Sequence, residues 1–130
     1  MFEANGTLVY EPDYRLVVSI PSGLADYYRS MIPKSVPVQK PRWGAHITVV
    51  RAEKETPTIV ECWGKYDGEV IQFNYDPAVH IDETYCWLNV WCDCLVQIRE
   101  ELGLPPKSRW TLPPSGEHQC FHMTIANRKF

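Results

Sequence analysis

The sequence predicts a single α+β domain covering residues 1–130, and three observations support that class. A length of 130 residues fits one compact domain, and the chain contains no repeat of fixed period and no linker. Its content of 45% apolar and 22% charged residues is ordinary for a globular protein. Short β-branched segments are interleaved with two segments of helical character, and turn residues separate them.

The expected strands are short, rich in β-branched residues and bounded by turn residues. They cover residues 14–20, 45–51, 69–75, 84–91 and 119–126, with a shorter one at 77–81. Two helices are expected over residues 24–32 and 94–102, with Ser22 and Asp93 as their N-terminal caps. Residues 56–66 fit a helical turn as well as a loop, and residues 104–117 are expected to form a polar, proline-rich loop.

The charge and the cysteine content exclude some classes of protein. A formal net charge of −3 argues against a protein that grips long nucleic acid, because such binding requires a broad basic surface. The five cysteines, an odd number without a C-x-x-C pair, indicate reduced thiols rather than a disulfide framework. A metal site built on Cys92 and Cys94 has no second ligand pair at zinc spacing, so no metal or other cofactor is expected.

The sequence also predicts where the protein resides. The first six residues, MFEANG, lack the basic start and the apolar stretch of a signal peptide. The longest apolar runs, of about five residues, fall far short of the roughly 20 that span a bilayer. A cytoplasmic protein without a membrane partner is therefore expected.

The most informative feature is a duplicated tripeptide, His46-Ile47-Thr48 and His122-Met123-Thr124, each within a predicted strand. Because side chains alternate along a strand, the His and Thr of each copy point to one face and the apolar residue points to the other. If the two strands lie near each other, two imidazoles and two hydroxyls line one cleft. A single His-x-Thr is more often a half-buried structural histidine, whereas two copies favour catalysis.

This set of groups suits cleavage of a ribose 3′–5′ phosphodiester by the neighbouring 2′-hydroxyl. One neutral imidazole can take the hydroxyl proton while the other, protonated, donates to the leaving 5′ oxygen. Threonine hydroxyls can donate hydrogen bonds to the phosphoryl oxygens as charge builds. His46, Thr48, His122 and Thr124 are the predicted catalytic residues, and the pattern leaves open which histidine is the base. His80 and His118 lack such a context and are expected to be solvated or structural.

Paired His-x-Thr motifs on strands of a small domain resemble the 2H phosphoesterase superfamily. The resemblance implies a bilobal domain of mostly antiparallel sheets, with two main helices flanking a central groove that holds both motifs. The flanks at residues 27–34, 46–51, 63–69 and 98–105 are similar to the phage anti-CBASS phosphodiesterases. That likeness implies cleavage of cyclic di- and trinucleotide immune signals in the cytoplasm of an infected bacterium, with His46, Thr48, His122 and Thr124 matching the catalytic quartet.

Residues that could hold such a ligand are found in three places. In the strand at 84–91, Tyr85 and Trp87 share a face with Asn89 and offer rings for base stacking, with packing under a helix as the alternative. Tyr14 heads the first predicted strand and is a further candidate. For the phosphates we consider Lys107 and Arg109, in the proline-rich loop, and also Lys34 and Arg51, although such a residue is more often a solvated surface cation.

Three alternatives to this function stay open at the level of the sequence. The same chemistry serves a 2′,3′-cyclic phosphodiesterase that processes RNA ends. A nucleotide sponge would bind such ligands without cutting them, although it would need no acid–base pair. A structural protein would carry the two motifs by coincidence, and no nucleotide would then shift its melting temperature.

Overall fold

The structure, a computed structural model, describes residues 1–116 and 119–128 of the chain. The strands are β1 (Phe2–Tyr10), β2 (Leu16–Ser19), β3 (Val38–Gln39), β4 (His46–Val50), β5 (Val70–Tyr75), β6 (His80–Ile81), β7 (Tyr85–Trp91) and β8 (Phe121–Arg128). The helices are α1 (Ser22–Ser30) and α2 (Asp93–Glu101), with a 3₁₀ turn at Val60–Cys62. Two helices together with a sheet whose strands pair antiparallel confirm the predicted α+β class.

The eight strands form one antiparallel sheet in the order β3-β8-β4-β2-β1-β5-β7-β6. An additional pairing joins β7 to β8, so β8, β4, β2, β1, β5 and β7 close into a barrel-like ring. Within this sheet, β4 and β8 are hydrogen-bonded neighbours although they lie far apart in the sequence. These are the two strands that carry the His-x-Thr motifs.

The helices cover the apolar face of these two strands. Helix α1 packs against β8 and contributes buried Ala25 and Tyr28, while α2 packs against β4 and contributes buried Leu95 and Ile98. Ile47, between the motif residues of β4, is fully buried in the same core. The opposite face of both strands is thereby left for the polar residues. Within the described ranges, neither helix has the length and apolar character needed to cross a membrane.

Strand β1 was not expected from the sequence, and Gly6 at its centre explains why. A glycine in a strand interior usually weakens a strand, so the segment does not stand out as one. Here a side chain at residue 6 would collide with Val18 Cγ1 and with the Ser19 carbonyl oxygen of the neighbouring strand. Glycine is therefore required because the β1 and β2 backbones approach closely at this point.

The structure corrects two local predictions, the helix caps and the start of the first predicted strand, and resolves the ambiguous segment 56–66. The caps of α1 and α2 are Pro21 and Cys92, without a side-chain hydrogen bond, because Ser22 and Asp93 already lie inside the first turns. The strand expected over 14–20 begins only at Leu16, since the φ angle of 67° at the preceding Tyr14 belongs to a turn. The ambiguous segment 56–66 contains the short 3₁₀ turn and otherwise irregular backbone.

Candidate active site

The pairing of β4 with β8 brings the two motifs together. His46 lies opposite Thr124, and Ile47 lies opposite Met123. One further step in this register places Thr48 opposite His122. Residues directly opposite each other in an antiparallel pair project on the same face, so all four polar side chains line one cleft. The two histidines occupy diagonal positions, for which neighbouring strands bring residues to about 7–8 Å from each other.

Both imidazoles are oriented in the same way. His46 Nδ1 lies 3.0 Å from the carbonyl oxygen of Gly44, and His122 Nδ1 lies 3.2 Å from that of Thr111. A carbonyl oxygen only accepts, so each Nδ1 carries the proton and donates it. The Nε2 atom of each ring is then the basic nitrogen, available to address a ligand in the cleft. Two backbone carbonyls thus select the same tautomer at both histidines.

The pKa values of both histidines are lowered. Burial lowers the pKa of His46, and the charges of Arg15 and Arg51 lower it further, against a raising effect of the hydrogen bond to Gly44. Burial also lowers the pKa of His122, and the proximity of His46 adds to this, against the hydrogen bond to Thr111. Both rings are therefore biased towards the neutral form, and protonating one opposes protonating the other.

The cleft around the quartet has a volume of about 500 Å³, within the roughly 300–1,000 Å³ of small-molecule sites. Among the described residues, three arginines line it, Arg15, Arg42 and Arg51, against one carboxylate, Glu53. The chain as a whole carries a formal charge of −3, so this wall is locally positive on an acidic protein. Such a wall attracts a small phosphate-containing ligand.

Arg15 was not predicted from the sequence, because its place at the cleft depends on which strand pairs with β4. Ser19 and Val17 of β2 lie opposite His46 and Thr48, respectively. Stepping back by two residues from Val17 reaches Arg15 on the same face. The necessary signal was the pairing of β2 with β4, which the sequence alone does not provide.

Three aromatic side chains stand at the rim of the cleft. Trp43 and Tyr85 are 75% and 41% exposed, and Trp110 is half-buried. The guanidinium of Arg42 lies 5.0 Å from the Trp43 ring centroid, and that of Arg109 lies 4.5 Å from the Trp110 centroid. Exposed rings backed by cations can stack on nucleobases. Of these rings, only that of Tyr85 was predicted from the sequence.

Trp87 lies behind the cleft rather than in its wall. The register places it opposite Thr124, on the quartet's face, but the residue is only 2% exposed. Its indole Nε1–H donates to Asn89 Oδ1 at 3.1 Å, and its ring stacks on His80 at 5.6 Å. Trp87 therefore supports the strand below Thr124. His80 is half-buried in this packing, as expected for a structural residue.

The other predicted ligand contacts lie outside the cleft wall. Lys107 donates to the carbonyl oxygen of Gln119 and so ties the proline-rich loop to the segment before β8. Arg109 reaches the site only through the Trp110 ring. The Tyr14 ring packs edge-on against Trp63, with centroids 5.1 Å apart. His118, predicted to be solvated or structural, lies outside the described residues.

A buried ion pair between Arg99 and Glu55 connects helix α2 to the strand that carries the first motif. Arg99 of α2 is fully buried, and its guanidinium donates to both carboxylate oxygens of Glu55 at 2.8 and 3.1 Å. Arg99 also donates to the carbonyl oxygens of Val49 in β4, at 2.7 Å, and Pro105, at 2.9 Å. Glu55 accepts a hydrogen bond of 2.9 Å from the backbone N–H of Arg51. The pair thus links β4, the backbone of Arg51 in the cleft wall and the proline-rich loop.

The loop continues this chain of contacts to the second histidine. The Ser108 hydroxyl hydrogen-bonds to Glu55, and the backbone N–H of Ser108 donates to Thr111 Oγ1 at 3.1 Å. Fully buried Thr111 presents the carbonyl oxygen that orients His122. Burial raises the pKa of Glu55, but hydrogen bonds from Arg99, Ser108 and Arg51 outweigh it, so the pKa is lowered and the carboxylate stays charged.

Potential metal ligands do not cluster in the described part of the chain. In residues 1–116 and 119–128, no group of three or more His, Cys, Asp or Glu side chains could hold a metal ion. Burial raises the pKa of Cys92 and of Cys94, which favours the neutral thiols there.

Comparison of the chain with protein-family models, with curated proteins and with solved structures found no match. The function of the chain is therefore inferred from the geometry of this cleft.

Proposed function

We propose that this protein is a metal-independent phosphodiesterase of the 2H type, which cleaves 3′–5′ bonds of cyclic di- or trinucleotides. The observation that carries this proposal is the register of β4 against β8, in which each histidine lies opposite the threonine of the other motif. Two imidazoles and two hydroxyls then surround one space, as acid–base cleavage of a single phosphate requires.

In the proposed first step, Nε2 of one histidine takes the proton of a 2′-hydroxyl, whose oxygen attacks the adjacent phosphorus. The bond from phosphorus to the 5′ oxygen breaks, and the second imidazolium donates its Nε2 proton to that oxygen. The products are a 2′,3′-cyclic phosphate and a 5′-hydroxyl, so a cyclic substrate is opened at one bond. With the roles exchanged, water can then open the 2′,3′-cyclic phosphate to a 3′-phosphate. Thr48 and Thr124 donate hydrogen bonds to the phosphoryl oxygens.

The bilobal arrangement of 2H phosphoesterases is part of the proposal. It is supported by the way in which each helix serves one motif strand: α1 packs against β8, and α2 packs against β4. The two motif strands are neighbours in the sheet, and one helix packs against each of them. Two such halves, joined along β4 and β8, correspond to two lobes around a groove.

The substrate class follows from the walls of the cleft. Three arginines beside the quartet favour a ligand with more than one phosphate, and the three rim aromatics favour one with more than one base. A cleft of about 500 Å³ on an acidic chain suits a small nucleotide better than a long RNA. Degradation of cyclic-nucleotide immune signals, which would evade antiphage defence, is the biological role we propose.

A panel of substrates tests this function. The protein would be incubated with cyclic dinucleotides, cyclic trinucleotides and RNA ending in a 2′,3′-cyclic phosphate, in excess chelator, with products identified by mass. We expect the cyclic oligonucleotides to be linearised in the presence of chelator. Preferred turnover of the RNA ends would instead indicate an end-processing enzyme. Tight binding without any product over hours would indicate a sponge.

The lowered histidine pKa values predict the pH dependence. Catalysis needs one neutral and one protonated imidazole, so kcat/KM should follow a bell-shaped curve. Because both pKa values lie below the usual 6.5, the maximum of this curve should lie on the acidic side of pH 6.5. Activity should fall as the pH rises further, since the acid then loses its proton. A maximum above pH 7 would contradict the burial of these rings.

Arg15 and Arg51, the two cleft arginines whose charges act on His46, should contribute to substrate binding. We expect Arg15→Ala and Arg51→Ala each to raise KM roughly tenfold, with a smaller effect on kcat, because each removes one charge-assisted phosphate contact. Each change should also raise the pKa of His46, since both cations lower it. Lys40→Ala, which removes a cation with 73% side-chain exposure that pairs with Asp26 and is not part of the cleft wall, is the matched control. An unchanged KM in both variants would show that these arginines do not hold the substrate.

A further inference from the structure

Each His-x-Thr motif is followed directly by a bulge in its strand. In the pairing of β2 with β4, Leu16 lies opposite Val50 and Val17 lies opposite Thr48, so Val49 is the extra residue. In the pairing of β7 with β8, Cys86 lies opposite Ala126 and Trp87 lies opposite Thr124. Ile125 is therefore the extra residue in β8. Val49 and Ile125 occupy the same place, one residue after the motif threonine.

A bulge disrupts the ladder of hydrogen bonds at the extra residue. At both bulges an arginine from a helix donates a hydrogen bond to the carbonyl oxygen of the extra residue. Arg99 Nη1 of α2 donates to the carbonyl oxygen of Val49 at 2.7 Å. Arg29 Nε of α1 donates to the carbonyl oxygen of Ile125 at 3.0 Å. Buried carbonyl groups need such a partner, and a charged donor provides a strong one.

The bulges also decide which residues face the cleft beyond the motifs. Simple alternation would turn Val50 and Ala126 to the face of the quartet. The extra residue reverses this alternation, so both of these side chains are buried in the core, with Val50 also at the edge of the cleft. The next residues, Arg51 and Asn127, line the cleft. Asn127 lies opposite Tyr85, a rim aromatic, and one step beyond the Leu16–Val50 pair places Arg51 opposite Arg15.

We propose that Arg29 and Arg99 are equivalent positioning residues, each of which holds the bulge behind one motif and thereby aims Asn127 or Arg51 into the cleft. The motif is then longer than His-x-Thr: it extends over two apolar residues to a third cleft residue. Neither arginine lines the cleft, so both act through the strand. Their importance for turnover rests on the proposed function, whereas their effect on strand geometry does not.

The β8 half of the proposal is tested with Arg29→Met, which removes the donor to Ile125. Asp26→Asn is the matched control, because it removes the ion-pair partner of Arg29 but leaves the bond to the bulge. Cross-strand NMR contacts between Tyr85 and Asn127 report the register in the ligand-free protein. We expect these contacts to be lost in Arg29→Met and kept in Asp26→Asn. Unchanged contacts in a folded Arg29→Met would overturn this half.

The β4 half is tested with Arg99→Lys. A single ammonium can keep the charge pair with Glu55 but cannot also reach the other two carbonyl oxygens that the guanidinium fork serves. We expect Arg51 to leave the cleft, and the NMR titration midpoint of His46 to rise. Arg29→Met should leave that midpoint unchanged, because the residue it releases is neutral. An unchanged His46 midpoint in Arg99→Lys would overturn this half.

Other charged groups near His46 must stay in place for that readout. They are Arg15 directly before β2, His122 on β8, and Arg42 and Glu53 in the cleft wall. Arg15 is positioned by β2, which neither substitution alters. Its lowering effect on the pKa of His46 should therefore stay constant. The His122 titration, followed in the same spectra, separates a change in the coupling of the two imidazoles from the loss of Arg51.

Kinetics then connect the geometry to function. With the substrate identified by the panel, we expect Arg29→Met and Arg99→Lys each to lower kcat/KM by roughly 10- to 100-fold, as expected for small misplacements in an active site. Asp26→Asn should retain wild-type activity. Altered NMR contacts with unchanged kcat/KM would overturn the catalytic importance of the bulges. A wild-type protein that turns over no nucleotide would refute the proposed function, while the NMR results would still decide the role of the arginines.

Discussion

Replacing His46 or His122 with alanine is expected to lower kcat/KM by roughly 10²–10⁴-fold, the usual contribution of a positioned general acid or base. Each imidazole is held through Nδ1 by a backbone carbonyl, so alanine removes a positioned Nε2 from the cleft. The double variant should lose little more than the weaker single variant, because the two groups act as a unit on one phosphate. Steady-state kinetics on the best substrate of the panel measures both effects.

The matched control for these variants is His80→Gln. This histidine is half-buried beside Trp87 and is not part of the cleft wall, so its replacement should leave kcat/KM close to that of the wild type. Circular dichroism of all variants separates loss of chemistry from loss of fold. A folded His46→Ala, His122→Ala double variant with wild-type activity would contradict the assignment of these residues.

Arg99→Met is expected to lower the free energy of unfolding by about 3–5 kcal/mol, the typical cost of stranding one partner of a buried ion pair. The side chain of Arg99 is 0% exposed and that of Glu55 is 6% exposed, so solvent screens their charges only weakly. The Glu55→Met, Arg99→Met double variant should recover part of that loss, because no uncompensated charge is left in the interior. Urea unfolding monitored by tryptophan fluorescence measures both values.

Lys65→Met is the control for this comparison. Lys65 pairs with Glu101 at the end of the same helix, but the two side chains are 52% and 38% exposed, and pairs so open to solvent contribute little to stability. If Arg99→Met destabilised the protein no more than Lys65→Met does, the Glu55–Arg99 pair could not be the link between β4 and the proline-rich loop.

Much of the fold followed from local sequence signals. The β-branched segments around His46 and His122 became β4 and β8, and the segment ending in Gly103 became α2, with Gly103 at a φ of 79°. These elements have strong intrinsic patterns and clear punctuation. Strand β1 has neither, since Gly6 interrupts it, and its existence depends on contact with β2 and β5.

The four residues of the quartet could be predicted because the His-x-Thr motif occurs twice in the chain, each time within a segment of clear strand character. The rest of the site could not, because it depends on which strands become neighbours. Arg15 is brought to the cleft by the pairing of β2 with β4, and Trp110 is brought there by a loop without regular structure. The placement of Arg51 and Asn127 depends on two bulges, which no periodicity in the sequence announces.

Trp87 shows a further limit of prediction from the sequence, which concerns burial. Alternation along β7 places it correctly on the face of the quartet, opposite Thr124. Periodicity predicts a face but not the depth at which a side chain ends. Packing of β6 beside β7 buries this ring, while Tyr85 at the end of the strand stays 41% exposed at the cleft rim.

The central claim is that both imidazoles act on one phosphate whose attacking group is the substrate's own 2′-hydroxyl. Phosphorus-31 NMR of a cyclic ribodinucleotide and its 2′-deoxy counterpart, with wild-type protein and excess chelator, tests it most directly. We expect the ribonucleotide to pass through a 2′,3′-cyclic phosphate resonance, and the deoxynucleotide to remain intact. Cleavage of the deoxynucleotide, or a ribonucleotide product ending in a 5′-phosphate, would contradict the account.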